Sequence, residues 1–563
     1  MTTALQEGSA TQPSSAAGAG EGQGRRSAWH AWALLAVIVG ASAGATVAAT
    51  RRTSTTFDEI TVVAAGTRGF HTRAFDLAPA HPPLTQYLYG LPVFLAEPNY
   101  PPDQAKAGKQ PIGTYSPYLY ARQFFWGSAN DPEKLAFLGR LGGALCVVLL
   151  VLSVFLFARR RFGDAPALLA AWLVAFLPDV LAHGGVACND LPLALTYFLA
   201  AWAIDAAVRC PTLVRGAVSG ASVALAVGTK FSAIVLPAVA VLLLLMEAFA
   251  LRERRWLPHA KLAVLAGTAA MYLALVAVYR GDFTLAEMRY GLDFTFRHVT
   301  RGHDTAPAYL LGRTSQTGWA YFFPLAFLYK TPAAFHLLLI AGLVGLSRST
   351  RDVRLRWLFA SPLRMPVVAG GVLLGALFAS NLAIGFRHAL PALPLLCVIA
   401  AVGVQRLWVT VGRVPRLALA TLALWMAVST LSFYPHFLAY TSEWGPGRDR
   451  GHELLLDSNL DWGQGLLDLR NWMRRNAVER VYLSYFGSAL PAGYGIDYVA
   501  LPSFFVLPPS PPPPQPPRYA VISATNLHGL YLPGDPLARF RDLVPDTVIA
   551  HTLLVYKVGQ PTN

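Results

Sequence analysis

Residues 138–161 read LGRLGGALCVVLLVLSVFLFARRR, an apolar run over about 138–158 that is entered at Arg140 and closed by Arg159-Arg160-Arg161. A helix needs about 20 apolar residues to cross the hydrocarbon core of a bilayer, so a run of this length with a basic end reads as a membrane span. The pattern repeats in both directions. Runs of the same kind lie near 31–50, 164–183, 191–208, 217–229, 231–250, 262–279, 317–346, 366–384, 388–408 and 414–432. They predict about 11 spans, of which the two between 217 and 250 are expected to be short or oddly packed. Composition agrees. Of 563 residues, 54% are hydrophobic and 14% charged, with a mean hydropathy of +0.42, whereas soluble domains carry about 25% charged residues. The expected class is an all-α polytopic transmembrane bundle.

The net charge of +15 does not point to nucleic acid, because of where it sits. Basic clusters fall in alternate loops: Arg25-Arg26, Arg159 to Arg161, Arg209 to Arg215, Arg252 to Lys261, Arg351 to Arg364 and Arg406 to Arg416. Such alternation is the positive-inside pattern. It places the N-terminus and these loops in the cytoplasm and the C-terminal segment outside, in a multi-pass plasma (inner) membrane protein. Arg51 and Arg52, just past the first run, go against it. Residues 1–28, rich in Ala, Gly, Ser and Gln, read as a disordered cytoplasmic tail. The four cysteines Cys146, Cys188, Cys210 and Cys397 show no metal-ligand or disulfide spacing.

Length and polarity concentrate on the non-cytoplasmic side. The first outer loop, 51–137, alternates apolar stretches with prolines and aromatics and suits short helices at the membrane interface. A second outer loop, 280–316, is polar and carries Arg289, Asp293, Arg297, His303 and Asp304. After the membrane region (29–432), residues 433–563 lose the long apolar runs. There Leu466 to Asn476 reads as an amphipathic helix, and Val481 to Phe486, Tyr519 to Ser523 and Thr552 to Val558 read as strands, together a small extracytoplasmic α/β domain. The Pro-rich stretch 508–517 interrupts it as a polyproline II surface loop.

Two acidic features mark the outer edge. Phe57-Asp58-Glu59 follows the first run, and Leu181-Ala182-His183-Gly184-Gly185-Val186-Ala187-Cys188-Asn189-Asp190 turns between two spans. Parity of the spans puts Asp58 and Asp190 in one compartment. An adjacent acid pair is also what a solvated helix cap looks like. The wider set of motifs decides between these readings. The chain resembles the membrane glycosyltransferases of the GT-C fold, in the group of dolichyl-phosphate-mannose protein mannosyltransferases and bacterial aminoarabinose transferases, and among them the bacterial family 39 glycosyltransferases. Eight elements carry the resemblance in order: Asp58-Glu59; His81-Pro82-Pro83-Leu84; Leu138-Gly139-Arg140-Leu141; Ala182-His183-Gly184 with Asp190; Gly228-Thr229-Lys230-Phe231-Ser232; Gly312 with Lys330-Thr331-Pro332; Gly385-Phe386-Arg387-His388; and Tyr434-Pro435-His436 with Asp457-Ser458-Asn459-Leu460-Asp461-Trp462-Gly463-Gln464.

The resemblance implies transfer of a sugar from a polyprenyl-phosphate lipid to an acceptor hydroxyl on protein, lipid or glycan. A phosphate is a good leaving group, so a single carboxylate base suffices, unlike the carboxylate pair of glycoside hydrolysis. It assigns the base to Asp58, with Glu59 holding the acceptor or orienting Asp58, and Asp190 supporting the site. The leaving phosphate calls for cations or donors; the candidates are His81, Arg140, Lys230, Lys330, Arg387 and His388. Five of the six have a structural alternative: Arg140 and Arg387 as interfacial anchors, His81 and His388 as satisfied histidines, Lys330 in a buried ion pair. Trp319, Tyr321, Phe322 and Phe323 either line a lipid groove or belong to an interfacial belt. No cofactor is implied, with a divalent metal left open. The rival reading is a transporter or flippase of lipid-linked sugars, which would place ionisable groups near the bilayer midplane; a non-catalytic scaffold is a third.

Overall fold

The computed structural model describes residues 17–73, 77–102, 116–251, 256–301, 307–348, 361–380, 383–505, 507–508 and 515–558. Residues 1–16 of the expected tail, 509–514 of the Pro-rich stretch, and His303 with Asp304 lie outside them. The first helix, α1 (Ala17–Thr50), begins inside the stretch expected as a tail.

Helices α2 (Glu59–Thr72), α3 (Pro83–Phe94) and α4 (Ser116–Arg122) lie in the stretch 51–137 between the first two apolar runs. Then come α5 (Pro132–Phe162), α6 (Asp164–Ala175), α7 (Pro178–Gly184), α8 (Asp190–Arg209), α9 (Leu213–Thr229), α10 (Leu236–Leu251) and α11 (Trp256–Val278). Beyond α12 (Ala286–Arg301) and a hairpin of β1 (Ala308–Leu310) with β2 (Arg313–Ser315) come α13 (Phe322–Lys330), α14 (Ala333–Arg348), α15 (Arg364–Phe378), α16 (Leu393–Thr410) and α17 (Arg413–Leu431).

The 11 runs become helices of three kinds. Seven are long and apolar enough to cross a membrane. Two more are bent pairs, α6 with α7 at 60° and α13 with α14 at 112°, each broken where Pro178 or Pro332 follows. The remaining two, α9 and α15, are shorter apolar helices. This is a multi-pass membrane bundle.

Local sequence explains the ends. The Asp131 carboxylate accepts from the amides of Glu133 and Lys134 to cap α5, Pro132 sits in its first turn, and Gly163 at φ 89° stops it. The short α9 crosses α11 unusually closely: a Cβ on Gly220 would lie 1.8 Å from the Gly267 carbonyl oxygen, and one on Gly216 2.1 Å from that of Ala263. Small residues every fourth position allow such backbone contact in membranes. The second outer loop is more structured than its polarity indicated, holding α12 and the hairpin.

The C-terminal segment folds into α18 (Leu466–Arg475) and five strands: β3 (Arg480–Ser484), β4 (Asp497–Ala500), β5 (Tyr519–Ser523), β6 (Thr547–Ile549) and β7 (Leu553–Lys557). Their order is β4-β3-β5-β7-β6, with β3 parallel to β4 and β5, and β7 antiparallel to β5 and β6. Leu466, Leu469, Val481, Leu483, Val521 and Val555 form its core beneath α18. Strands β4 and β6 were not anticipated; at four and three residues they are too short to show an alternating pattern.

Candidate active site

Asp58 and Glu59 start α2, and their side chains part company at once. Glu59 is fully buried. Its Oε1 accepts from Arg140 Nε at 2.7 Å and from the Ala187 amide at 3.0 Å; its Oε2 accepts from Arg140 Nη2 at 2.8 Å and from the Thr56 amide at 2.9 Å. Arg140 donates its remaining N–H groups to the carbonyls of Thr50, Thr53 and Ser54. The acceptor-holding role of Glu59 and the phosphate-binding role of Arg140 are therefore corrected, while the alternative of Glu59 orienting Asp58 is left open. Glu59 has no oxygen left for an acceptor, and Arg140 has no donor left for a phosphate; the pair is an internal tie between α2, α5 and the 185–189 turn.

Asp58 keeps 24% of its side chain exposed. Its Oδ1 accepts from the Tyr118 hydroxyl at 2.8 Å, and its Oδ2 lies 3.6 Å from Arg387 Nη1. Tyr118, on α4, was missed in the sequence, where nothing distinguishes it from the other aromatics of the first loop. Asp190, at the start of α8, is buried; its Oδ1 lies 2.5 Å from Lys230 Nζ, and its Oδ2 has no hydrogen-bond partner and sits 3.9 Å from Arg387 Nη1. Lys230 is presented where α9 gives way to extended backbone. Arg387, in the 3-10 turn Phe386–Ala392, lies over the Trp462 ring at 4.3 Å, and its Nε is buried without a partner. The structure thus brings together Asp58, Asp190, Lys230 and Arg387.

Two histidines border this group. His81 Nδ1 lies 3.3 Å from the Asn189 side-chain amide, and burial, helped by Lys230 and Arg387 against Asp58 and Asp190, pushes its pKa below the usual imidazole value. It is a neutral donor or acceptor at neutral pH. His388 follows Arg387 in the same turn, within electrostatic range of Asp190.

Lys330 lies elsewhere. Its Nζ donates to the carbonyls of Leu438 (2.8 Å), Tyr440 (2.8 Å) and Asn459 (2.6 Å). All three of its protons are committed, so neither the phosphate role nor the carboxylate pair expected for it holds. Phe322 and Phe323 are likewise buried in the bundle core, not set along a groove.

The carbonyls that hold Lys330 belong to the segment that enters the C-terminal domain, and this segment runs as a strap beneath the site. Asn459 Oδ1 accepts from the Phe386 amide at 2.7 Å, next to Arg387. The Trp462 carbonyl accepts from the Phe57 amide at 2.8 Å and the Gln464 carbonyl from the Ser54 amide at 3.0 Å, next to Asp58. Asp457 accepts from the Tyr531 hydroxyl, and burial pushes its carboxyl up despite that bond and the charge of Arg387. Phe486, Phe504 and Phe505 of the domain pack against Phe57 at centroid distances of 5.4, 5.7 and 6.2 Å.

Metal chemistry has one foothold among the described residues. His183, Cys188 and Asp190 bring one ligand atom each within 4.8 Å of one another. Lys230 already neutralises Asp190, and Cys188 Sγ sits at hydrogen-bond distance, 3.4 Å, from His183 Nδ1. His183 Nε2 and Asp190 Oδ2 stay buried without hydrogen-bond partners, while the charge of Asp190 is already matched by Lys230.

The model of the family described as "Dolichyl-phosphate-mannose-protein mannosyltransferase" matches residues 133–279, the stretch from α5 to α11 that carries Arg140, Asp190 and Lys230. No curated protein matches the sequence. Among solved structures, the chain is similar to ArnT from Cupriavidus metallidurans bound to undecaprenyl phosphate, at 14% identity over 92% of this chain and 97% of that one, with a TM-score of 0.45. It is also similar to the oligosaccharyltransferase of Archaeoglobus fulgidus in its apo form, at 15% identity over 74% of this chain and 57% of that one, with a TM-score of 0.43.

Proposed function

We propose that this chain is a membrane glycosyltransferase that moves a sugar from a polyprenyl-phosphate donor to an acceptor hydroxyl on the non-cytoplasmic face, with Asp58 as general base. The observation that carries it is a partly exposed carboxylate, held on one oxygen by Tyr118, facing an arginine whose Nε lacks any acceptor. A buried guanidinium N–H without an acceptor is costly unless a ligand completes it. A phosphate beside Arg387 and Lys230 does so and leaves Asp58 within reach of an acceptor. The match to the mannosyltransferase family model supports the same chemistry.

In this reading Asp58 takes the proton from the acceptor hydroxyl as its oxygen attacks the anomeric carbon. The bond from that carbon to the phosphate oxygen breaks, and the polyprenyl phosphate leaves with the electron pair. Direct displacement inverts the anomeric centre. Arg387 and Lys230 receive the charge that develops on the leaving oxygen, and a fixed cation there needs no reorganisation. Asp190 keeps Lys230 in place, and His81, neutral, contributes a hydrogen bond rather than charge.

The test is Asp58→Asn, which keeps size and the Tyr118 contact but cannot accept a proton. Mass spectrometry of envelope glycans and glycoproteins, comparing a deletion strain complemented with either form, should show a sugar restored by the wild type alone. The expected loss is about a thousandfold, within the range of general-base catalysis. Full transfer by the variant removes Asp58 as base, and movement of lipid-linked sugar across the membrane without transfer favours the transporter instead.

A further inference from the structure

Arg51 and Arg52 follow α1 directly, on the side of the bundle that carries Asp58, the side that the basic clusters of the sequence otherwise avoid. Both side chains are exposed, and among the described residues neither has a carboxylate partner. Arg51 lies over the Phe137 ring at 4.7 Å and Arg52 over the Tyr434 ring at 5.5 Å. Stacking holds the guanidinium planes but leaves their N–H edges and their charge unused.

Two adjoining cavities meet at Arg51 and Leu467. One, of about 160 Å³, runs between Thr50, Thr53, Phe137 and Arg140. The other, of about 240 Å³, is bounded by Arg52, Pro435, Asp468, Arg470 and Asn471. Of the charges around them, Arg470 pairs with Glu133 at 2.8 Å and Asp468 faces His436 at 3.6 Å, while Arg140 is committed to Glu59. The Nε of Arg470 is buried with no acceptor. Asp468 Oδ2 is also buried without a hydrogen-bond partner, so the two guanidinium charges of Arg51 and Arg52 face one carboxylate and the balance at the cavity is positive.

We propose that these cavities hold the phosphate headgroup of an anionic phospholipid, with Arg51 and Arg52 as its ligands and Arg470 Nε as a further donor. The place is right: the last residue of a span lies where headgroups lie. The chemistry is right: guanidinium groups bind phosphate oxygens in pairs, and two basic residues at a membrane surface attract anionic lipid. The apolar faces of Phe137, Pro435 and Leu467 suit the glycerol and the start of the acyl chains. A lipid held there touches α1, α5 and α18 together, so it clamps the C-terminal domain to the bundle. This site stands apart from Asp58 and does not depend on the reaction proposed above.

Native mass spectrometry of the purified full chain tests this, with phosphatidylglycerol and phosphatidylcholine of identical acyl chains offered together. Wild type should retain phosphatidylglycerol with a preference on the order of tenfold. In Arg51→Gln/Arg52→Gln the preference should fall to parity, while Arg51→Lys/Arg52→Lys should keep part of it. Should the double glutamine variant fail to fold, Arg52→Gln alone, whose guanidinium lies exposed over Tyr434, reads a loss in the same direction. Equal retention of the two lipids by wild type, or an undiminished preference in the glutamine variants, overturns the proposal. So does displacement of phosphatidylglycerol by millimolar inorganic phosphate, which would make this a site for soluble anions.

Discussion

Helix α8 has a buried charge cluster at each end, and the two are finished differently. At its C-terminal end both oxygens of Asp205 accept from arginine: Oδ1 from Arg364 at 2.7 Å, Oδ2 from Arg209 at 2.9 Å and from Arg161 at 3.2 Å, while Arg364 also reaches Glu247. At its N-terminal end Asp190 has one oxygen on Lys230 and one without a partner, and Arg387 approaches two carboxylates without closing a hydrogen bond to either. Each cluster takes charge out of water at a comparable cost. In the first, both oxygens of Asp205 have internal partners that offset that cost, with only Nη2 of Arg364 left without a hydrogen bond. In the second, the gap is where a charged ligand fits. Charge burial alone does not separate a structural network from a site; an open carboxylate oxygen beside a partly exposed acid does.

Opposite variants should pull this contrast apart. The largest effect expected is on stability at the far end: Arg364→Met removes the arginine that Glu247 and Asp205 share and should cost about 3–5 kcal/mol, read as a loss of folded protein on gel filtration and a lower thermal midpoint. At the site end, Arg387→Met should instead leave the midpoint near that of the wild type and cut sugar transfer about a hundredfold, through loss of charge stabilisation of the leaving phosphate. If both variants simply unfold, the two clusters do the same job and the distinction fails. A smaller effect belongs to Tyr118→Phe. Losing one hydrogen bond to a charged group costs about 1.5–3 kcal/mol; because that bond orients the base, kcat should drop roughly tenfold or more with the donor KM little changed.

The smallest effect concerns the outer domain. His452 Nδ1 and His528 Nε2 lie 3.0 Å apart, and Tyr309 bridges to the His528 Nδ1 at 3.4 Å and to the His452 carbonyl at 3.0 Å. The ring of bonds closes with His452 donating to His528, His528 to Tyr309, and Tyr309 to the carbonyl, so a further proton on His528 has no acceptor. Burial, with His452 and Arg541 adding to it, pushes the His528 pKa down to about 3. The unfolded imidazole binds a proton near pH 6.5 and the folded one does not, so stability should fall as pH drops from about 6.5 towards 3. Melting curves at pH 7.5 and 5 should show that fall, and His528→Gln should flatten it.

The bundle is legible in the sequence because apolar length and basic ends report on the bilayer directly, and each of the 11 runs is helical in the structure. The site is legible only in part. Residue type and depth drew attention to Asp58, Asp190, Lys230 and Arg387, which converge, but equally to Glu59, Arg140 and Lys330, which are sealed off. No pattern distinguishes a lysine held by three carbonyls from one free to meet a phosphate, because the carbonyls belong to residues 108, 110 and 129 positions away. Tyr118 went unread, and Trp462 was singled out by its motif without a role, for the same reason: their roles come from long-range packing, not local spacing.

The strap from Asn459 to Gln464 has a consequence for how the molecule can be divided. The amides next to Asp58 and next to Arg387 are both anchored on it, and it is continuous with α18 and the sheet. The soluble-looking domain is therefore no detachable cap. A membrane portion cut at the last span would carry every candidate reacting residue and still lack the backbone that holds them at working distance. Chimeras between relatives should be joined after Gln464, where the strap has already left the site, rather than at the membrane boundary that hydropathy marks.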